Sequence, residues 1–259
     1  MKLLDVSHWQ GNINFSQVKA SGIDGVIIKA GGSDAGFYKD NMFETNYANA
    51  KAAGLSVGSY YFVGSGCVTA NDGQADAVRF EKIIQGKQFD LPIYMDVETT
   101  PPSKKTGVTD AVIAFCEYLE KKGYFVGVYG SDISGFKDRM DLNRLKRFTL
   151  WVARYGSKPQ YATMWNIWQY SSTGRVNGIN GNVDMNECNR DFPKEIKANG
   201  KNGYPIQQQE KVDQILHKGS KVQLEGTYVV KDINVKDNTA LITIDGKDYW
   251  ISSTPLKEV

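Results

Sequence analysis

The chain has 259 residues, 41% hydrophobic and 23% charged, with a formal net charge of +2. That is the composition of an ordinary globular protein able to bury a full core, and at this length one large domain plus a small one is expected. The near-neutral balance, with no dense Lys/Arg run, excludes an electrostatic case for nucleic acid, and three scattered cysteines exclude a complete disulfide framework.

Those cysteines, Cys67, Cys116 and Cys188, lack C-x-x-C spacing and read as buried thiols made in a reducing cytoplasm. The start, Met1-Lys2-Leu3-Leu4-Asp5, enters structure at once, with no signal-peptide pattern. No stretch is apolar and long enough to cross a bilayer, so no membrane insertion is expected.

Short β-rich runs recur along the chain. They are Leu3 to Ser7, Gly25 to Ala30, Leu55 to Val63, Leu91 to Val97, Tyr124 to Tyr129, Phe148 to Ala153, Ile167 to Tyr170 and Val183 to Asn186. The first five are about 20 to 35 residues apart, the spacing of βα units. Helical patterns lie between them: a short one at Ser16 to Ala20, then Met42 to Ala53, Gly73 to Ile84 and Val108 to Lys122. After the fifth run only a short piece around Leu142 to Arg147 keeps that pattern. Eight β-runs that lose their helices late predict an α/β fold, a TIM-like barrel with an incomplete helical ring. An open doubly wound sheet is the alternative, but no Gly-rich phosphate fingerprint follows the first run.

Residues 194–203 (KEIKANGKNG) are polar and glycine-flanked and read as a linker, dividing a barrel at 1–193 from a tail at 204–259. The tail carries short strand patterns at Ser220 to Leu224, Tyr228 to Ile233, Ala240 to Ile244 and Asp248 to Ile251, with Asp245-Gly246 as a hairpin signal. This is the pattern of a small all-β, SH3-like domain.

The fourth run ends in Asp96-Val97-Glu98, closed abruptly by Thr99-Thr100-Pro101-Pro102. Side chains alternate along a strand, so both acids face one way, roughly 6 to 7 Å apart by backbone rise. A single acid there is an ordinary solvated strand end. Two behind an apolar strand cost repulsion and desolvation unless something uses them. In a closed barrel the first and last strands are neighbours, which brings Asp5 and Asp184 together across the mouth from Asp96 and Glu98. Catalytic groups sit at the carboxyl ends of barrel strands. Four converging acids drive at least one pKa upward, and a protonated carboxyl beside ionised ones is equipment for glycosidic cleavage. A divalent cation held by two carboxylates and His8 would be a sparse ligand set, so no metal or other cofactor is expected.

Aromatic residues gather near the same strand ends: Trp9, Tyr60, Tyr61, Phe62, Tyr129, Trp151, Tyr155, Trp168 and Tyr170. About half belong to the core of such a barrel. Tyr61, Tyr129 and Trp168 are the leading candidates for stacking on sugar rings, with Trp9, Tyr60 and Trp151 behind them. Gln10 and Gln169 are candidate donors to sugar oxygens.

These residues carry a resemblance. Asp5-Val6-Ser7-His8-Trp9-Gln10-Gly11, Gly58-Ser59-Tyr60-Tyr61-Phe62, Met95-Asp96-Val97-Glu98, Trp168-Gln169-Tyr170-Ser171 and Val183-Asp184-Met185-Asn186 together resemble glycoside hydrolase family 25, the Chalaropsis-type muramidases, over about residues 1–190. The resemblance implies a (β/α)5β3 barrel and hydrolysis of the β-1,4 bond between N-acetylmuramic acid and N-acetylglucosamine in bacterial peptidoglycan. It implies Glu98 as general acid, Asp96 as the group that orients the substrate's 2-acetamido, and Asp5 and Asp184 as shapers of the pocket's charge. One departure is visible: Lys29-Ala30-Gly31-Gly32-Ser33 stands where many relatives carry Lys-Ala-Thr-Glu-Gly.

The absence of a leader and the β-rich tail resemble phage endolysins, which are made in the host cytoplasm and reach the wall after holin-type release. The tail would then bind cell-wall polymers. Two other classes remain open. One is a non-catalytic peptidoglycan-binding protein using the same groove. The other is a different barrel hydrolase, although the D-x-x-D-x-D-x-E run of chitinases and a deacetylase's metal ligands are missing. Nothing in the sequence assigns an oligomeric state.

Overall fold

The structure, a computed structural model, describes residues 1–206 and 228–252. The chain divides into two compact units, Met1–Gln209 and Glu210–Val259. In chain order the first unit holds β1 (Lys2–Val6), α1 (Phe15–Ala20), β2 (Gly25–Gly32), β3 (Tyr38–Lys39), α2 (Phe43–Ala52), β4 (Ser56–Phe62), α3 (Ala70–Ile84), β5 (Ile93–Asp96) and α4 (Lys105–Lys121). It continues with β6 (Val126–Ser131), α5 (Leu142–Leu145), β7 (Thr149–Ala153), β8 (Ile167–Gly174), β9 (Val183–Cys188) and α6 (Phe192–Ala198).

Strands β1, β2, β4, β5, β6, β7 and β8 are joined by parallel pairing where they are neighbours, and β9 closes the ring antiparallel to both β8 and β1. Eight strands therefore form a closed barrel, with β3 a two-residue addition outside it. Five strand–helix units precede three strands with no helix between them, so the early helices and late bare strands expected from the sequence are both present. Closure leaves the barrel without a free edge.

Local chemistry places the helices. Thr69 caps α3, accepting from Asp72 N while the Asp72 carboxylate takes the Thr69 N–H, a capping box that starts the helix ahead of the expected Gly73. Gly73 itself is a weak helix former, but a Cβ there would lie 2.0 Å from the Ala111 carbonyl. The glycine is what lets α3 and α4 approach so closely. Between these helices and the strands lies an outer core that includes Phe43, Phe80, Phe115, Ile28 and Val57. Alternate residues of the same strands fill the barrel's interior with Leu3, Ile27, Tyr94, Tyr129, Trp151 and Ile167.

The stretch read as a linker belongs to this unit. Asp191 caps α6, whose Phe192 and Ile196 are buried with the interior cluster beside Leu91 and Phe125. Behind it, Asn202 Oδ1 accepts from Phe125 N at 2.6 Å and its Nδ2 donates to Leu91 O at 2.9 Å. Phe125 and Leu91 lie just before β6 and β5, so α6 and Asn202 close the end of the barrel opposite the acids. The polar composition of 194–203 reflects a helix with one buried face, and the 193/194 boundary is corrected accordingly.

In the second unit, β10 (Val230–Asn234), β11 (Thr239–Ile244) and β12 (Lys247–Ser252) form an antiparallel meander. Asp245 and Gly246 turn with φ of 49° and 76°, the left-handed pair that joins two twisted strands. Ala240 and Ile242 are buried on one face. The expected strand at Ser220 to Leu224 lies outside the described residues.

Candidate active site

The site is built at the carboxyl ends of the parallel strands. Asp96 ends β5, flanked in register by Phe62 of β4 and Tyr129 of β6. Glu98 follows two residues on, at the open lip. Asp5 of β1 pairs in register with Asp184 of β9, which runs the other way and so delivers Asp184 near its start to the same rim. The structure therefore brings all four acids to one mouth.

Their surroundings differ. Asp5 is buried, and its Oδ2 accepts from Asn186 Nδ2 at 2.8 Å and Gln169 Nε2 at 3.0 Å. Burial and then the neighbouring Asp184 push its carboxyl well above the usual range, against those two hydrogen bonds. Asp184, half-buried, is raised chiefly by burial, and Gln169 Nε2 lies 3.4 Å from its Oδ2. Asp96 is buried, with Oδ1 lacking any hydrogen-bond partner. Desolvation and then Glu98 push it well above the carboxylate range, while Lys29 pulls it back. The Glu98 carboxyl is also raised, first by the desolvation of its place in the mouth and further by Asp184, although Asp96, Lys29 and Arg139 oppose this. Both carboxyls of the Asp96–Glu98 pair are thus raised by burial, and the contact between them raises Asp96 further while lowering Glu98.

Two hubs hold Asp5 and Asp184. Gln169 is buried: Nε2 faces Asp5 and Asp184, while Oε1 accepts from Tyr129 Oη at 2.9 Å and Tyr155 Oη at 3.3 Å. Asn186 accepts from Trp151 Nε1 at 2.7 Å and passes its own amide to Asp5. Asn186, Lys29 and Tyr155 were not among the expected site residues. Lys29 is only 8% exposed, with its ammonium 4.6 Å from the centre of the Phe62 ring and 5.5 Å from that of Tyr38. A lysine in a Val-Ile-Ile-Lys strand, where every alternate residue points into the barrel, was the available signal.

The aromatic candidates divide. Tyr60 is half-buried and packs edge-on to Trp151 at 5.9 Å, with Asp5, Asp96 and Asp184 all raising its hydroxyl beyond the effect of burial. Tyr129 packs on Trp151 with its ring tilted by 57° at 4.4 Å and is buried in the floor of the mouth. Trp9 is 79% exposed on the short turn after β1, beside His8. Gln10 is spent on that turn's cap, accepting from Ser7 N. His8 Nδ1 lies 2.7 Å from Asp40 Oδ2, so its partner is Asp40 rather than one of the four acids.

Three expectations are corrected. Tyr61 is fully buried on the outer face of β4, between Phe80 and Phe115, with Oη donating to Asp76. Trp168 faces outward too, since its strand neighbour Gln169 faces in; it packs on Trp165 and Tyr170, and its Nε1 donates to Arg154 O. Trp151 points inward but is only 1% exposed beneath Tyr60, Tyr94 and Tyr129, so it supports the floor and offers no face to a sugar. The departure at Gly31-Gly32 also has a cause. These residues extend β2 to pair with β3, and a Cβ at Gly31 would lie 2.2 Å from Tyr38 O. A larger side chain does not fit that rim.

The family model "Glycosyl hydrolases family 25" matches residues 4–179. The autolytic lysozyme of Clostridium acetobutylicum is 36% identical over 188 residues, spanning 72% of this chain and 55% of that relative. Lysozyme M1 of Streptomyces globisporus is 32% identical over 205 residues, with 72% of this chain and 67% of the relative covered. Among solved structures, the CTP1L endolysin superposes with a TM-score of 0.67 at 29% identity, over 76% of this chain and 69% of that one. This chain thus spans little more than half of the clostridial relative. With a barrel closed by one antiparallel strand, four acids at its rim and a family match covering most of its length, the chain belongs to glycosyl hydrolases family 25.

Proposed function

We propose that this chain is a lysozyme, an N-acetylmuramidase that hydrolyses the β-1,4 bond between N-acetylmuramic acid and N-acetylglucosamine in bacterial peptidoglycan. The reading rests on the family and on its lysozyme-named relatives. The observation that carries it is the pair of acids at and just past the end of β5: a buried Asp96 with an unpartnered Oδ1, next to a Glu98 at the lip whose carboxyl burial raises.

The residues divide the work as follows. The substrate's 2-acetamido N–H donates to the open Oδ1 of Asp96. That bond favours the ionised form of Asp96 and leaves the shared proton on Glu98. Glu98 gives the proton to the departing glycosidic oxygen as the acetamido carbonyl oxygen bonds to the anomeric carbon. The Asp96 carboxylate stabilises the charge that develops on the acetamido nitrogen. Glu98, now a carboxylate, takes a proton from water, which opens the cyclic intermediate and regenerates the acid with retention at the anomeric carbon. Asp5 and Asp184, fixed by Gln169 and Asn186, add the negative field that favours an oxocarbenium-like centre. Trp9 and Tyr60 are the aromatic faces available to the glycan, with Tyr129 buried in the floor.

Mass spectrometry of wall digests tests the reaction: new muramic-acid reducing ends, formed as the β-anomer, are expected. Sugar binding with no new reducing ends would instead make the chain a non-catalytic wall-binding protein.

The likeness to the CTP1L endolysin supports a phage endolysin role, with synthesis in the host cytoplasm and access to the wall after holin-type release. Cytoplasmic expression is then expected to leave cells intact until a membrane pore is supplied, and lysis without one would count against it. For the second unit we propose an SH3-like, wall-binding fold, supported by its antiparallel meander. Removing residues 210–259 is expected to abolish sedimentation with purified walls while sparing hydrolysis of soluble glycan; unchanged sedimentation would refute it.

A further inference from the structure

Past the carboxyl end of β4, the neighbour of the strand that carries Asp96, lies a cavity of about 220 Å³ lined by Ser33, Gly64, Gly66, Cys67, Asp72, Ala75, Asp76 and Arg79. It sits where the chain leaves β2 and β4 and enters α3. Its wall is continuous with the acids' own strand: Gly64 follows Val63, whose N–H donates to the Asp96 carbonyl at 3.1 Å.

The cavity is a built one. Asp76 is buried at 3% exposure and fully engaged, accepting from Ser33 Oγ at 2.9 Å, Arg79 Nη1 at 3.0 Å and Tyr61 Oη at 3.3 Å. Ser33 Oγ in turn accepts from Gly64 N at 3.1 Å, which ties the two loops together. A charge network this deep costs desolvation and is held only by full satisfaction. Its effect is to fix Arg79 in place. That guanidinium is half-exposed, spends one N–H on Asp76 and lies 5.9 Å from the centre of the exposed Phe37 ring. The rest of its fork is open to a ligand. The second wall charge is Asp72. Its Oδ2 takes Val68 N, Thr69 N and Thr69 Oγ1, which immobilises the carboxylate and leaves Oδ1 without a hydrogen-bond partner among the described residues.

A fixed guanidinium and the Asp72 carboxylate, on walls otherwise made of the Arg79-paired Asp76 and of glycine, alanine, serine and cysteine, complement a small group carrying both charges. Neutral sugars have neither. The polymer that the acids are proposed to cleave does carry such groups, because its muramic units bear short peptides. We propose that this cavity receives an amino-acid group of that peptide, with its carboxylate on Arg79 and its amine on Asp72. The chain would then read the peptide substituent as well as the glycan. The proposal rests on the lysozyme reading.

The test measures kcat/KM of the full chain on two soluble glycan polymers: strands bearing their peptides, and the same strands stripped by an amidase. Arg79→Gln is expected to lower kcat/KM on the peptide-bearing polymer by at least about tenfold, the worth of a charge-assisted hydrogen bond, and to leave the stripped polymer unaffected. A second variant avoids disturbing Asp76. Gly66 lines the cavity and a Cβ there meets nothing within 4 Å, so Gly66→Leu adds bulk at the cavity wall without a backbone clash and should give the same selective loss. If both variants treat the two polymers as the wild type does, or lose activity equally on both, the cavity does not bind peptide. A wild-type chain inert on both polymers would overturn the lysozyme reading, and this proposal with it.

Discussion

At the scale of single residues, the site trades stability for chemistry. The Asp96 carboxyl is raised in the folded chain by burial and by Glu98. Between its ordinary and its raised pKa the folded state therefore binds more protons than the unfolded state. Stability from this group is full at low pH and falls as pH rises through that window. Asp96→Asn removes the slope: at pH 7 its melting temperature should exceed the wild type's by on the order of 3 °C, while wall hydrolysis is lost. A lower Tm would show that Asp96 is not the strained member of the pair. Lys29 acts in the opposite sense, lowering both Asp96 and Glu98. Lys29→Met keeps the packing on Phe62, and the whole pH–rate profile should move to higher pH as both carboxyls rise. An unmoved profile would sever Lys29 from the acids. The four acids were legible because strand alternation and barrel closure are nearly geometric necessities. The aromatics were not. In Gly58-Ser59-Tyr60-Tyr61-Phe62 both faces of β4 are covered, so polarity offers no clue to which tyrosine points inward. Only the register, Tyr60 beside Tyr94 and Tyr61 beside Met95, separates the site residue from the helix-facing one.

At the scale of elements, the barrel is sealed by parts that looked dispensable. Asn202 is fully buried with φ of 55°, and satisfies four backbone groups: through its side chain Phe125 N and Leu91 O, and through its main chain Phe89 N and Gly123 O. Asn202→Ala leaves the first two orphaned and also meets an unfavourable backbone conformation, for a loss of about 2–4 kcal/mol in an unfolding titration. A change below about 0.5 kcal/mol would return residues 199–204 to the status of linker. Nearby, buried Asp90 is held low: burial opposes it, but Lys51, Tyr204 and Lys197 outweigh that cost. That cluster was invisible in sequence because its members come from residues 51, 90, 197 and 204, and short-range composition carries no record of such long-range pairing. The helices α3 and α4 were visible because each buries one long apolar face, whereas α2 buries only Phe43, Asn46 and Ala50. Their starts were less so: α3 begins at a Thr69–Asp72 capping box rather than at the glycine that packs against α4.

At the scale of the whole molecule, the α/β barrel and the strands among the tail's described residues both follow from the rhythm of strand and helix patterns, whereas the boundary between the two units does not. It falls after Gln209, beyond α6 and its Asn202 staple, because burial rather than polarity defines where a unit ends. Function follows from closure: only a ring places β1 beside β9, and so Asp5 beside Asp184, opposite the pair on β5. The central claim is that Glu98, its carboxyl raised by burial in this ring of acids, delivers the proton that breaks the glycosidic bond. The most direct measurement is the release of reducing ends from purified walls by Glu98→Gln, alongside its thermal unfolding. The account predicts a cooperative transition within a few degrees of the wild type and a rate at least about a thousandfold lower, within the reach of a lost general acid and the base that follows it. A folded Glu98→Gln that releases reducing ends at near wild-type rate would contradict it.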